Sequence, residues 1–179
     1  MLILIQFLEQ LILYIKKIPN WINDREKIVN IVFSPLNFRS NGTLLPNAYR
    51  CKKGNDDLSV NRLDYTTLNS CKRQGLKIEK NAKNIKGKFF FGIALLFAKE
   101  IRQIANVISS PINGFSGNKA HAEIQTGFVT VAGEAAPSEY LYITDELAKK
   151  SRIFKDEDVK SKKWQANNVN EIQNLKLDW

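Results

Sequence analysis

The sequence predicts an α+β fold: a mostly antiparallel sheet partly covered by short helices, with an amphipathic helix at the N-terminus. Three stretches carry that prediction. Phe89 to Phe97 (F-F-F-G-I-A-L-L-F) is an unbroken apolar run of strand length. Ala120 to Phe128 (A-H-A-E-I-Q-T-G-F) alternates small apolar with polar residues at the two-residue period of a strand. Tyr140, Ile143, Leu147 and Phe154 recur instead at helical spacing. At 179 residues the chain suits one domain with a sizeable core, and 44% hydrophobic with 25% charged residues excludes disorder of the whole.

Residues 2–15 are nearly all apolar, but the run is shorter than the roughly 20 residues that span a bilayer, and Glu9 lies at its centre. No positive leader or small-residue cleavage site marks a signal peptide. Gln6, Glu9, Gln10 and Lys17 form one narrow polar stripe, so the predicted helix packs on the protein's own core, a partner subunit or a membrane surface. Pro19 and Asn20 end it, and a second helical segment is predicted over Trp21 to Val32. Residues 1–33 thus read as an N-terminal hydrophobic helical segment, 34–154 as the α+β core domain and 155–179 as a charged C-terminal extension.

From Ser34 to Asn47 the residues are loop-like, punctuated by Pro35, Gly42 and Pro46. Ala48 to Lys52 and Leu58 to Arg62 read as the arms of a hairpin turned at Gly54 to Asp57. In it Tyr49 and Cys51 point inward and Arg50 and Lys52 outward, while Ser59 and Asn61 share one face of the second arm. Arg62 reads as a strand-end arginine reaching solvent, with an arginine aimed into a cleft as the other reading. Asp64 is a good helix cap, Leu63 and Leu68 suit a hydrophobic staple, and Gly75 reads as a stop. A helix is therefore expected over Tyr65 to Gln74, with Cys71 and Leu68 on its inner face.

A short helix over Ala98 to Ala105 and a strand beginning at Val107 and Ile108 follow the apolar run. After Gly127, Phe128 to Ala132 is predicted to continue as strand, and Ser138 caps a helix reaching Ile153. Val169, Ile172 and Trp179 suit one side of a last short helix, unless the tail orders only on a partner.

The net charge of +9 favours anionic partners, nucleic acid and acidic membrane surfaces first; scattered solvated lysines are the plain alternative. The densest basic stretch holds Lys72, Arg73, Lys77, Lys80, Lys83, Lys86 and Lys88 against Glu79 alone. With Arg50 and Arg62 these residues form the expected phosphate-contacting surface. Cys51 and Cys71 lack paired metal-ligand spacing and read as reduced thiols of a cytoplasmic protein.

His121 is the sole histidine, and Glu123 leaves the same strand face. The pair suits general acid–base work, with Arg50 or Arg62 as an anion clamp. No second catalytic group stands at a fixed spacing, which weighs toward a structural histidine bonded to a loop carbonyl. Neither a metal site nor a cofactor is expected: one histidine is too few for common ligand sets, and no phosphate or dinucleotide fingerprint occurs. S-V-N-R at 59–62, F-G-I-A at 91–94 and H-A-E-I at 121–124 resemble segments of small bacterial proteins, over roughly residues 45–150. That resemblance implies a folded unit and carries no residue roles.

The leading expectation is a non-catalytic accessory or binding protein of a bacterial nucleic-acid-handling complex. It would grip phosphates through the basic surface and protein through residues 2–15 and the C-terminal tail. A hydrolase or transferase acting on a phosphorylated or nucleotide substrate through His121 and Glu123 is the enzymatic alternative. A membrane-surface protein anchored by residues 2–15 is the third.

Overall fold

The computed structural model describes residues 18–82, 88–113, 117–161, 163–165 and 169–177. The N-terminal apolar run, Lys83, Lys86 and Trp179 therefore lie outside the described residues. Six described strands make one antiparallel open sheet: β1 (Lys27–Pro35), β2 (Asp57–Arg62), β3 (Lys88–Phe97), β4 (Asn106–Ser109), β5 (His121–Gln125) and β6 (Arg152–Lys155). Their order across the sheet is β4-β5-β2-β1-β3-β6. Four short helices accompany it: α1 (Leu68–Asn81), α2 (Ala98–Arg102), α3 (Ser138–Lys150) and α4 (Val169–Asn174). The expected α+β class is the observed one.

The apolar run becomes β3, buried on both faces. Ala94 and Leu96 enter one core, with Ile28, Val32, Val60, Ala122 and Ile124 of neighbouring strands and Ile143 and Leu147 of α3. Ile93 and Leu95 enter the other, with Val29, Phe33 and Phe154, Cys71 of α1, and Trp164 and Ile172 of the C-terminal segment. Burying each such side chain contributes roughly 1.5–3 kcal/mol, which makes the two layers the main driving force. At Gly92 the two strands approach closely: a Cβ there would lie 2.1 Å from the Phe154 carbonyl oxygen on β6.

Several expectations are corrected. Trp21 to Val32 is not helical; Lys27–Pro35 is a central strand with β3 on one side and β2 on the other. I-V-N-I-V-F buries side chains on both faces, which erases the period that separates strand from helix. Ala48 to Lys52 is not a hairpin arm. Pro46–Tyr49 is a single 3₁₀ turn, although Tyr49 and Cys51 are buried and Arg50 and Lys52 exposed as expected.

The first helix starts later than expected and runs past Gly75. Thr67 takes the extended cap conformation, and its hydroxyl accepts from the Ser70 N–H at 3.1 Å; such a cap is worth about 1 kcal/mol. Asp64 accepts the Lys27 N–H instead. Gly75 lies inside α1, where a Cβ would fall 2.2 Å from the ring of Phe90, so the glycine marks close packing rather than a stop. Cys71 is packed inward with Leu68 beside it, as expected. Phe128 to Ala132 is not strand, and the last long helix ends at Lys150, leaving Phe154 on β6. Ser138 is the first residue of that helix rather than its cap, which is Pro137.

Candidate functional site

The site begins where the sheet splits. Only Ile28↔Arg62 and Val29↔Asn61 pair between β1 and β2. Beyond them β1 continues along β3 to Pro35 and β2 continues along β5 to Asp57, so the two halves of the sheet diverge. Asn30 has no cross-strand partner in β2, and its side-chain amide donates instead to the Ala48 carbonyl at 2.7 Å, tying the 3₁₀ turn into the gap. The opening is a cleft of about 610 Å³ between the strands, with the C-terminal half of α1 along one side.

The cleft floor is polar. Asn61 and His121 are direct cross-strand partners on one face of the sheet, 5% and 7% exposed. The Asn118 amide donates to Asn61 Oδ1 at 2.6 Å, and Asn61 Nδ2 donates to Gln74 Oε1 at 3.1 Å. His121 Nδ1 lies 2.6 Å from the Ser110 carbonyl oxygen. A carbonyl only accepts, so Nδ1 carries the proton, and in the neutral ring Nε2 presents a lone pair. Among the described residues Nε2 has no hydrogen-bond partner.

The rim is cationic. Arg50, Lys52, Lys77 and Lys88 line the cleft, and among the described residues no aspartate or glutamate does. None of the four is ion-paired among the described residues. Lys88 Nζ sits 4.7 Å above the Phe33 ring, which holds it at the cleft without neutralising it. Positive charge without counter-charge in a concave site focuses potential and draws anions.

The expected site residues therefore divide. His121, Arg50, Lys77 and Lys88 meet in the cleft. Glu123 shares the strand face with His121 but does not line the cleft; its Oε1 accepts from the Ser110 hydroxyl at 2.8 Å. Ser110 thus bonds both side chains, and it is Ser110, not Glu123, that orients the imidazole. Lys80 is exposed on the last turn of α1, and Arg73 is half-buried and donates to the Ser70 hydroxyl.

Arg62 and Lys72 are corrections, because both are 0% exposed and neither reaches solvent or phosphate. The Arg62 guanidinium grips Glu26 with two bonds of 2.8 and 3.0 Å and donates to the Pro19 and Trp21 carbonyls and the Ser109 hydroxyl. It also stacks 4.5 Å from the Tyr65 ring centre. Lys72 Nζ donates to the Asp158 and Lys163 carbonyls and makes a charge contact with Asp156 Oδ2 at 2.5 Å. Both cations hold chain segments together.

Lys52, Asn61, Gln74 and Asn118 belong to the site and are not among the residues expected there. Asn61 had a signal, its shared polar face with Ser59, whereas Gln74 and Asn118 come from other elements with none. A second hollow of about 410 Å³ lies between the start of α1 and α4, lined in part by Leu63, Leu68 and Ile172. It is a packing seam, and Lys27, which lines it, already donates to the Gln173 carbonyl. Among the described residues no three His, Cys, Asp or Glu side chains gather to hold a metal, and no helix is long and apolar enough to cross a membrane. Comparison with family models, curated proteins and solved structures finds no match.

Proposed function

We propose that the protein is a non-catalytic binding protein that holds the phosphates of nucleic acid in the cleft between β1 and β2, as an accessory component of a bacterial nucleic-acid-handling complex. One observation carries this reading: among the described residues, four cations and no carboxylate line a concave opening. The net charge of +9 adds long-range attraction for a polyanion. A protein partner for residues 2–15 belongs to the same proposal. So does a cytoplasmic location, which suits two buried free thiols. The test is binding of labelled DNA and RNA oligonucleotides at low salt, for the native protein and for Arg50→Gln/Lys77→Gln. Binding that the double variant loses supports the reading; no binding, or binding the variant leaves unchanged, refutes it.

The enzymatic alternative keeps one observation in its favour, a histidine whose Nε2 has no partner among the described residues, in the same cleft as Arg50. Among the described residues it lacks a second catalytic group there, since Glu123 faces Ser110 and Arg62 is buried against Glu26. Turnover of a phosphodiester or nucleotide that vanishes in His121→Ala would move the assignment to this reading.

A further inference from the structure

The chemistry of the cleft floor distinguishes what part of a nucleic acid it meets. A phosphodiester oxygen only accepts hydrogen bonds, so a site built for phosphate alone needs donors. The rim supplies those. The floor presents something else. The chain of bonds from Asn118 through Asn61 to Gln74 uses the Gln74 carbonyl oxygen and leaves its amide N–H groups as donors without a partner among the described residues. The Ser110 carbonyl fixes the His121 proton on Nδ1, leaving Nε2 of the neutral ring as an acceptor. A lone pair on the floor has no use for phosphate, but it matches a ligand that carries N–H groups.

A donor and an acceptor on one floor match the edge of a nucleobase, which shows both. The apolar side chains of Ile78 and Ile112, 40% and 50% exposed, also line the cleft and suit the flat face of a ring. Burying polar groups costs free energy unless they are paired, so a floor this well ordered is expected to gain a partner when occupied. The opening lies between two strands of a sheet rather than on a projecting helix or ribbon, so among the described residues nothing at the cleft enters a groove to reach paired bases. The base has to come to the protein.

We propose that the cleft accepts an unpaired nucleotide of single-stranded nucleic acid, with phosphate at the Arg50 and Lys77 rim and the base edge at Gln74 and His121. This rests on the phosphate-binding reading and adds strandedness and base contact to it.

The test compares a labelled single strand with the same sequence as a blunt duplex at equal salt, for the native protein, Gln74→Met and His121→Ala. The native protein is expected to prefer the single strand by about tenfold or more. Gln74→Met is expected to lower single-strand affinity by about fivefold or more, with the dependence on salt unchanged because no phosphate contact is removed. Gln74 is half-buried on α1, so this variant keeps the test valid even if the buried His121→Ala fails to fold, which a thermal melt reveals. Equal affinity for strand and duplex overturns this inference and leaves the phosphate-binding reading standing. So does a Gln74→Met variant that binds like the native protein. Absence of binding to either form overturns both.

Discussion

Arg62 and Glu26 meet as a two-pronged ion pair inside the protein, Nε to Oε2 at 2.8 Å and Nη2 to Oε1 at 3.0 Å, with the arginine wholly buried. Glu26 Oε1 also accepts the Asn23 N–H, and Arg62 carries three further acceptors from residues far away in sequence. The arginine is adjacent to Asn61, yet the strand period sends the two side chains to opposite faces. One ties the approach to β1 onto β2; the other lines the cleft. Arg62→Ala leaves a buried carboxylate without its partner and is expected to cost about 3–5 kcal/mol. Chemical denaturation measures it. At a temperature where the variant stays folded, nucleic-acid affinity is expected to be near that of the native protein.

Lys72 and Asp156 make the corresponding contact on the other side of the sheet, both wholly buried. Lys72 also donates to the carbonyls of Asp158 and Lys163, so one ammonium group fastens the segment after β6 to α1. Lys72→Met is expected to destabilise by about 3–5 kcal/mol, because Asp156 stays behind as an uncompensated charge. Lys72→Met/Asp156→Leu is expected to recover part of that loss. A thermodynamic cycle on the two single variants and the double variant checks the coupling.

Gly92 pairs with Lys155 in the β3–β6 register, and a Cβ at that position would collide with the Phe154 carbonyl oxygen at 2.1 Å. The obstacle is backbone and cannot swing aside. Gly92→Ala is expected to destabilise by about 1–3 kcal/mol, with amide exchange of β6 rising more than that of β1.

Burial pushes the Cys71 thiol from the ordinary 9.0 up to about 12, and the Cys51 thiol and the Tyr49 and Tyr140 hydroxyls upward as well. In each case the folded state holds its proton to higher pH than the unfolded state does. Their contribution to stability is complete below the unfolded values and is lost as the pH rises through the window up to the folded ones. For Cys71 that window runs from 9.0 to about 12. Melting temperature is therefore expected to fall as the pH is raised above about 9, and Cys71→Ala is expected to flatten the early part of the fall. Thiol reagents at neutral pH are expected to leave Cys71 unmodified until the protein unfolds.

Which parts of the fold are legible in the sequence follows from where their determinants lie. β3 and β5 can be read directly, since an unbroken apolar run and a clean alternation are each carried by their own residues. β1 cannot: Ile28, Val29, Val32 and Phe33 face two different cores, and the pattern then carries no period. The start of α1 is not legible because Asp64, the expected cap, is claimed by a distant contact with Lys27, and Thr67 caps the helix instead.

The site is legible in the same uneven way. His121 and the basic residues stand out by type, and Arg50, Lys77 and Lys88 do meet it in the cleft. Arg62 and Lys72 look identical to them in sequence. Their partners, Glu26 and Asp156, lie 36 and 84 residues away and leave no local trace. The amide chain of Asn118, Asn61 and Gln74 spans three elements and is invisible until the sheet splits around it.

The most direct test of the central claim is the slope of log affinity against log salt concentration for a single-stranded oligonucleotide. Each phosphate neutralised contributes about 0.7 to that slope, so engagement of the four rim cations predicts a value near 3 for the native protein. Lys77→Gln/Lys88→Gln is expected to reduce it by about 1.4, in parallel with a loss of affinity at low salt. An unchanged slope in that variant, or binding insensitive to salt in the native protein, would contradict a phosphate-binding cleft between β1 and β2.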